Sequence, residues 1–160
     1  MSTWGILGCG TIANEMAETF IKMGHEIYGV SNRTLEKAEK FAETYGVKHV
    51  FKTYEEMLAD EKIDIIYIAT PHSRHYENMK QAVKAGKHVL CEKAITVNAA
   101  QLEEVLKLAE KKHVVVREAM TISHMPLYKK LKERIKEGAI GKTKMVQVNF
   151  GSNKGYDSTN

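Results

Sequence analysis

The sequence predicts an α/β domain built on a doubly wound parallel sheet, and three observations predict it. Short apolar runs alternate with amphipathic stretches along most of the 160 residues, the pattern of parallel strands joined by crossover helices. The first run leads straight into a glycine-rich turn, Gly8-Cys9-Gly10, where a strand hands over to a helix. Six candidate strands are separated by helix-length segments, enough for an open sheet covered on both faces.

Taken in order, strands are expected at Thr3–Leu7, Glu26–Val30, His49–Phe51, Ile63–Ile68, His88–Cys91 and Val114–Glu118. Ile12, Met16 and Phe20 recur every four residues, and Leu35, Ala38, Ala42 and Tyr45 keep helical spacing on the next segment, so both stretches should pack on the sheet as helices. Thr53 with Glu56, and Asn98 with Gln101, have the spacing of helix-starting caps, the second opening a helix through Leu102, Val105, Leu106 and Ala109. Pro126 can start a last helix with an apolar stripe of Leu127, Leu131 and Ile135, ended by Gly138. Beyond it, Met145 to Phe150 alternates like a strand with Val146, Val148 and Phe150 on one face. The division expected is a dinucleotide-binding domain over 1–120, a connecting helix packed on it over 121–141, and the start of a truncated second domain over 142–160. The unpaired strand Lys144–Phe150 would invite self-association or remain disordered.

Composition removes several classes of function. A 43% hydrophobic content supports one good core, and no apolar run reaches the eighteen or more residues a membrane span needs. The net charge is +4, and Lys129, Lys130, Lys132, Arg134, Lys136, Lys142 and Lys144 read as a solvated face without aromatic company, so no nucleic-acid partner is expected. Cys9 and Cys91 lie too far apart in sequence for metal-ligand spacing and form no disulfide framework. No signal-peptide pattern opens the chain, and a reducing cytoplasm is the expected location.

The chemistry starts at Gly8-Cys9-Gly10-Thr11-Ile12-Ala13. Gly8 permits a tight turn, Gly10 lets the backbone approach a pyrophosphate, and Ala13 lets helix and strand pack closely. The N–H groups of Thr11 and Ile12 at the helix start suit phosphate oxygens. A redox role for Cys9 would require a lowered thiol pKa. At the end of the second strand stand Ser31, Asn32, Arg33 and Thr34 in place of an acidic residue that would bind the ribose 2′-hydroxyl of NAD. Arg33 can instead pair with a 2′-phosphate, worth about 1.5–3 kcal/mol or a ten- to hundredfold preference, with Ser31, Asn32 and Thr34 adding neutral bonds. NADP is the expected cofactor, ahead of NAD.

Two further stretches, Ile68-Ala69-Thr70-Pro71-His72-Ser73-Arg74-His75 and Ala85-Gly86-Lys87-His88-Val89-Leu90-Cys91-Glu92-Lys93, together with the glycine turn, resemble the Gfo/Idh/MocA oxidoreductases. Glu118-Ala119-Met120 and Gly138-Ala139-Ile140-Gly141 resemble that family's later landmarks, and Ser31-Asn32-Arg33 resembles its NADP-using members, dihydrodiol dehydrogenases among them. The resemblance implies a Rossmann fold with Thr70, Pro71 and His72 near the nicotinamide ribose and His75 in support. It also implies that Glu92-Lys93 forms part of a Glu-Lys-Pro motif whose lysine faces the substrate. Lys93 could then polarise a carbonyl and donate a proton to it. Two departures stand out: Ala94 replaces the proline, so a trans peptide is expected there, and Ser123 replaces an arginine common in relatives.

The function expected is that of the nucleotide-binding part of an NADP-dependent oxidoreductase acting on CH–OH groups of a sugar, polyol or similar compound, with a homo-oligomer as the working form. The fragment itself is expected to bind cofactor without turnover. The competing reading is a non-catalytic NADP-binding sensor or partner module, which Ala94 and Ser123 favour and Lys93 opposes.

Overall fold

A computed structural model describes residues 2–149 and 151. The chain forms two compact units, the first ending at Ala119 and the second starting at Met120.

In the first unit the strands are β1 (Trp4–Leu7), β2 (Ile27–Ser31), β3 (His49–Phe51), β4 (Ile65–Ile68), β5 (His88–Cys91) and β6 (Val116–Glu118). All pair in parallel, in the order β3-β2-β1-β4-β5-β6. The helices between them are α1 (Thr11–Lys22), α2 (Leu35–Tyr45), α3 (Tyr54–Ala59), α4 (His72–Lys84) and α5 (Ala99–Lys112). The expected doubly wound α/β sheet is therefore found. Its strand order reverses between β1 and β4, and such a switch point opens a crevice at the carboxyl ends of the strands.

Two apolar clusters, one on each face, hold the layers together. One gathers Leu7, Ile66, Ile68, Met79, Val83 and Val105; the other gathers Ile6, Ala13, Ala17, Phe20, Val30, Phe41 and Tyr67. Both expected caps form: Thr53 Oγ1 accepts from Glu56 N–H at 3.1 Å, and Asn98 Oδ1 accepts from Gln101 N–H at 3.0 Å. Lys87 is buried with its ammonium donating to the carbonyls of Asp60 and Ile63 at 2.7 and 2.9 Å. It thereby ties the turn before β4 to the start of β5.

Two expectations require correction. On α1 the buried face is Ala13, Ala17 and Phe20, while Ile12 is exposed. Ala13 and Ala17 are fully buried in the cluster beside the sheet, which turns the stripe by one position from Ile12 and Met16. The strand expected over Lys144–Phe150 does not form in its described part, Lys144–Asn149, which carries no regular structure; Phe150 and most of the tail lie outside the described residues. A strand needs a neighbour for its N–H and C=O groups, and none of the described residues pairs with this segment. Met145, Val146 and Val148 are exposed.

In the second unit, a 3-10 turn at Thr121–His124 precedes α6 (Pro126–Lys136), which starts at the proline read from sequence. Gly138 follows it with φ of +82°. No residue of α6 is buried.

Candidate functional site

The glycine turn sits at the carboxyl end of β1, at the switch point. Gly8 has φ of +95°, and a Cβ there would lie 2.6 Å from the carbonyl oxygen of Ala69. Only glycine fits, since L side chains rarely adopt that backbone and the obstacle is itself backbone. Its N–H donates to Ser31 O at 2.9 Å, while Ala69 N–H donates to Leu7 O at 2.8 Å. The turn is thus wedged between the ends of β2 and β4.

Gly10 is different. It is exposed, its φ is negative, and a Cβ there would meet nothing within 4 Å. Neither backbone strain nor a neighbouring atom demands glycine at this position. The open space lies at the N-terminus of α1, where the first-turn N–H groups, Thr11 and Ile12 among them, have no partner inside the helix. A bare turn facing those donors is the cradle a pyrophosphate requires, so these residues fit a dinucleotide.

Side chains brace the cradle, and of these Asn14 was missed by sequence reasoning. Asn14 Nδ2 donates to Gly10 O at 2.8 Å, folding α1 back on its own entrance. Asn32 Oδ1 accepts from Cys9 N–H at 3.3 Å while its Nδ2 donates to Thr34 O at 2.9 Å. Asn32 therefore joins the β2 exit to the glycine turn. Ser31 is fully buried and its hydroxyl donates to Phe51 O at 3.1 Å, so its side chain serves the sheet. Burial pushes the Cys9 thiol up to about 12, against a lowering pull from Lys37, the opposite of what a redox cysteine requires.

Arg33 and Thr34 are exposed at the exit of β2. Among the described residues Arg33 forms no salt bridge. Burial raises the Tyr54 phenol, and both Arg33 and Arg74 lie close enough to pull it back down. Lys37 on α2 likewise acts on Cys9, so cations from α2 and its entrance lie within electrostatic range of this end of the cradle. Lys37 and Arg74 were not singled out from sequence.

At the other end, Thr70, Pro71 and His72 follow β4, and Glu92 and Lys93 follow β5. The loop carrying Lys93 is held from four sides. Tyr67 OH donates to Glu92 Oε1 at 2.6 Å, and Glu92 Oε2 accepts from Lys93 N–H at 3.2 Å. Glu118 Oε1 accepts from Ile95 N–H at 2.9 Å. His72 Nε2 lies 2.7 Å from Lys93 O, and His75 Nδ1 lies 2.8 Å from Ala94 O. The trans peptide expected before Ala94 is not found: the Lys93–Ala94 bond is cis, with the two histidines engaging the carbonyls of both its residues. The Lys93 side chain is exposed, and among the described residues its ammonium forms no salt bridge.

An open sheet with a glycine cradle at its switch point, a cationic rim at one end and an exposed lysine at the other defines a dinucleotide-binding domain of the oxidoreductase type. Residues 2–120 match the Gfo/Idh/MocA family, described as an oxidoreductase family with an NAD-binding Rossmann fold, and the chain belongs to it. Among its relatives, a trans-1,2-dihydrobenzene-1,2-diol dehydrogenase from Xenopus tropicalis is 32% identical, the match covering 92% of this chain and 46% of that protein. The D-xylose 1-dehydrogenase (NADP(+)) of Hypocrea jecorina is 39% identical over 86% of this chain and 39% of its own length. A crystal structure of a 3-ketoreductase from Actinomadura kijaniata in complex with NADP superposes with a TM-score of 0.81 at 28% identity, covering 88% of this chain and 45% of that one. The chain thus spans less than half the length of these relatives.

Proposed function

We propose that this chain is the NADP-binding part of an oxidoreductase that moves hydride between the cofactor and a sugar, polyol or similar hydroxy or carbonyl compound. The observation that carries the proposal is the β2 exit: Arg33 is exposed there, no acidic residue stands in Ser31-Asn32-Arg33-Thr34, and Lys37 follows in the first turn of α2. A 2′-phosphate would meet the Arg33 guanidinium, and no carboxylate within Ser31–Thr34 would repel it.

In this reading Gly8, Gly10, Thr11 and Ile12 present backbone to the pyrophosphate, and Arg33 with Thr34 faces the adenosine ribose. Thr70, Pro71, His72 and His75 form and brace the nicotinamide-ribose end. Bound NADP would supply the hydride acceptor or, when reduced, the donor. Glu92 holds the Lys93 backbone; the Lys93 ammonium would polarise a substrate carbonyl and give its oxygen a proton as hydride arrives, and in the reverse sense the neutral Lys93 amine would take the hydroxyl proton and become the ammonium. The relatives named as dehydrogenases of a diol and of D-xylose, one of them as NADP-linked, support the substrate class. The domain boundary near residue 120 is part of the proposal, supported by the compact unit that ends at Ala119.

The 160-residue polypeptide by itself is proposed to bind cofactor without steady turnover, since orienting a substrate supplies about 7–11 kcal/mol of barrier lowering and the chain spans under half of the relatives it matches. A cytoplasmic location and a homo-oligomeric working form complete the reading. No helix among the described residues is long and apolar enough to cross a membrane.

Calorimetric titration of the purified chain with NADP and NAD tests the proposal. NADP should bind about ten- to hundredfold more tightly. Equal affinities would overturn the cofactor choice, and no heat with either at millimolar concentration would overturn the proposal itself.

A further inference from the structure

One face of α4 carries polar residues where a helix packed on a sheet ordinarily places apolar ones. His72, His75 and Asn78 stand at i, i+3 and i+6, so they line up along that face. His75 is fully buried and Asn78 is 6% exposed. Burying such groups is costly unless each finds a partner, and each does. His75 Nε2 lies 2.9 Å from Thr70 O while its Nδ1 lies 2.8 Å from Ala94 O. Asn78 Nδ2 donates to Thr70 Oγ1 at 2.9 Å, and His72 reaches Lys93 O. The ring's tautomer decides which of the two His75 contacts is a donated N–H bond.

The partners are not scattered. Thr70 lies just past the end of β4, and Lys93 and Ala94 lie just past the end of β5. The β4–β5 ladder ends at Ile68 and Cys91, leaving a gap in the pairing where these carbonyls stand. His75 spans the gap, fixing the two exits to each other. Asn78 occupies a lone pair of the Thr70 hydroxyl as donor, which leaves that hydroxyl's own proton free to donate elsewhere.

We propose that His75 and Asn78 are positioning residues: they lock the Lys93 loop to Thr70 and turn the Thr70 hydroxyl into an outward donor, so that both address the nicotinamide-ribose end of the cofactor as one unit. This rests on the reading of the chain as an NADP binder. Neither residue need touch cofactor or substrate.

The test compares NADPH with adenosine 2′,5′-bisphosphate, which keeps the 2′-phosphorylated adenosine and lacks both the second ribose and the nicotinamide, by calorimetry on the 160-residue chain. His75→Leu and Asn78→Asp should each weaken NADPH by about tenfold and leave adenosine 2′,5′-bisphosphate unchanged. Asn78→Asp keeps the shape but reverses the bond, because a carboxylate only accepts. Thr70→Val should behave like Asn78→Asp, and Thr70→Ser should retain wild-type affinity. Unchanged NADPH binding in the variants, or equal weakening of both ligands, would overturn the proposal. Should His75→Leu fail to fold, Asn78→Asp and the Thr70 pair carry the same comparison. Failure of the wild type to bind either ligand would remove the cofactor reading and this inference together, whereas wild-type binding with indifferent variants would remove this inference alone.

Discussion

Tyr67 and Glu92 meet across adjacent strands, the phenol donating to one carboxylate oxygen at 2.6 Å while the other oxygen accepts from the Lys93 backbone. Burial, followed by this bond and the negative charge of Glu92, drives the Tyr67 phenol far above its ordinary range, so it stays a donor at any physiological pH. Tyr67→Phe removes the donor from a part-buried carboxylate. A hydrogen bond to a charged group is worth about 1.5–3 kcal/mol, and urea unfolding should show a loss of that size. A change below about 0.5 kcal/mol, within the range of neutral surface substitutions, would mean that the bond is not maintained in solution.

Gly8 and Gly10 should separate stability from binding. Gly8→Ala forces a side chain into backbone at 2.6 Å and a positive φ, and should cost at least about 1–3 kcal/mol of stability. Gly10→Ala meets no protein atom, so it should leave the melting temperature within a degree or two and weaken NADPH by about tenfold. Calorimetric melting and NADPH titration of the pair would show it. If both variants lost stability alike, the space at Gly10 would not be the ligand's.

Arg33→Gln should reduce NADP affinity about ten- to hundredfold and leave NAD affinity unaltered, because only the 2′-phosphate contact is lost. Parallel titrations with the two cofactors read this directly, and an equal loss for both would assign Arg33 to the shared part of the molecule.

Stability should decline on the alkaline side. Burial raises Cys9 from 9.0 to about 12, and Cys91 and Tyr67 are also raised, burial being the largest cause in each. Unfolded, these groups ionise near their ordinary values, so above roughly pH 9 the folded state holds more protons than the unfolded one. The stabilising contribution is complete below that pH and is lost as pH rises toward the folded values. Urea midpoints should fall steadily from about pH 9 to about pH 11, and both thiols should resist iodoacetamide at neutral pH while the chain is folded. A midpoint that rose over this interval would contradict the assignment.

The sheet was legible because its strands are continuous apolar runs, and Thr53 and Asn98 announced their helices by caps that indeed form. Boundaries were less legible: Ile63 reads as strand, yet it is buried in the turn before β4 with its carbonyl held by Lys87. In the site, what backbone performs could be read from Gly8 and Gly10, since glycine marks space that a side chain would occupy. What other side chains perform could not, because Asn14, Tyr67 and Glu118 have ordinary spacing and acquire meaning only through their partners. One signal was present and unused. The i, i+3, i+6 run of His72, His75 and Asn78 places polar groups on the buried stripe of a helix, which is itself a sign that something polar lies opposite. Ser31 shows the converse, a hydroxyl at the right place in the motif that is fully committed to Phe51 inside the sheet.

The strand order carries a consequence for biosynthesis. β1 lies beside both β2 and β4, and Gly8 is walled by Ala69, so the first functional turn to leave a ribosome lacks one side until some sixty residues later have followed. The lysine loop waits longer still, for the carboxylate of Glu118. A nascent chain therefore cannot draw on cofactor for stability until nearly the whole sheet has been made, and NADP should protect arrested chains from proteolysis only when they extend past β6.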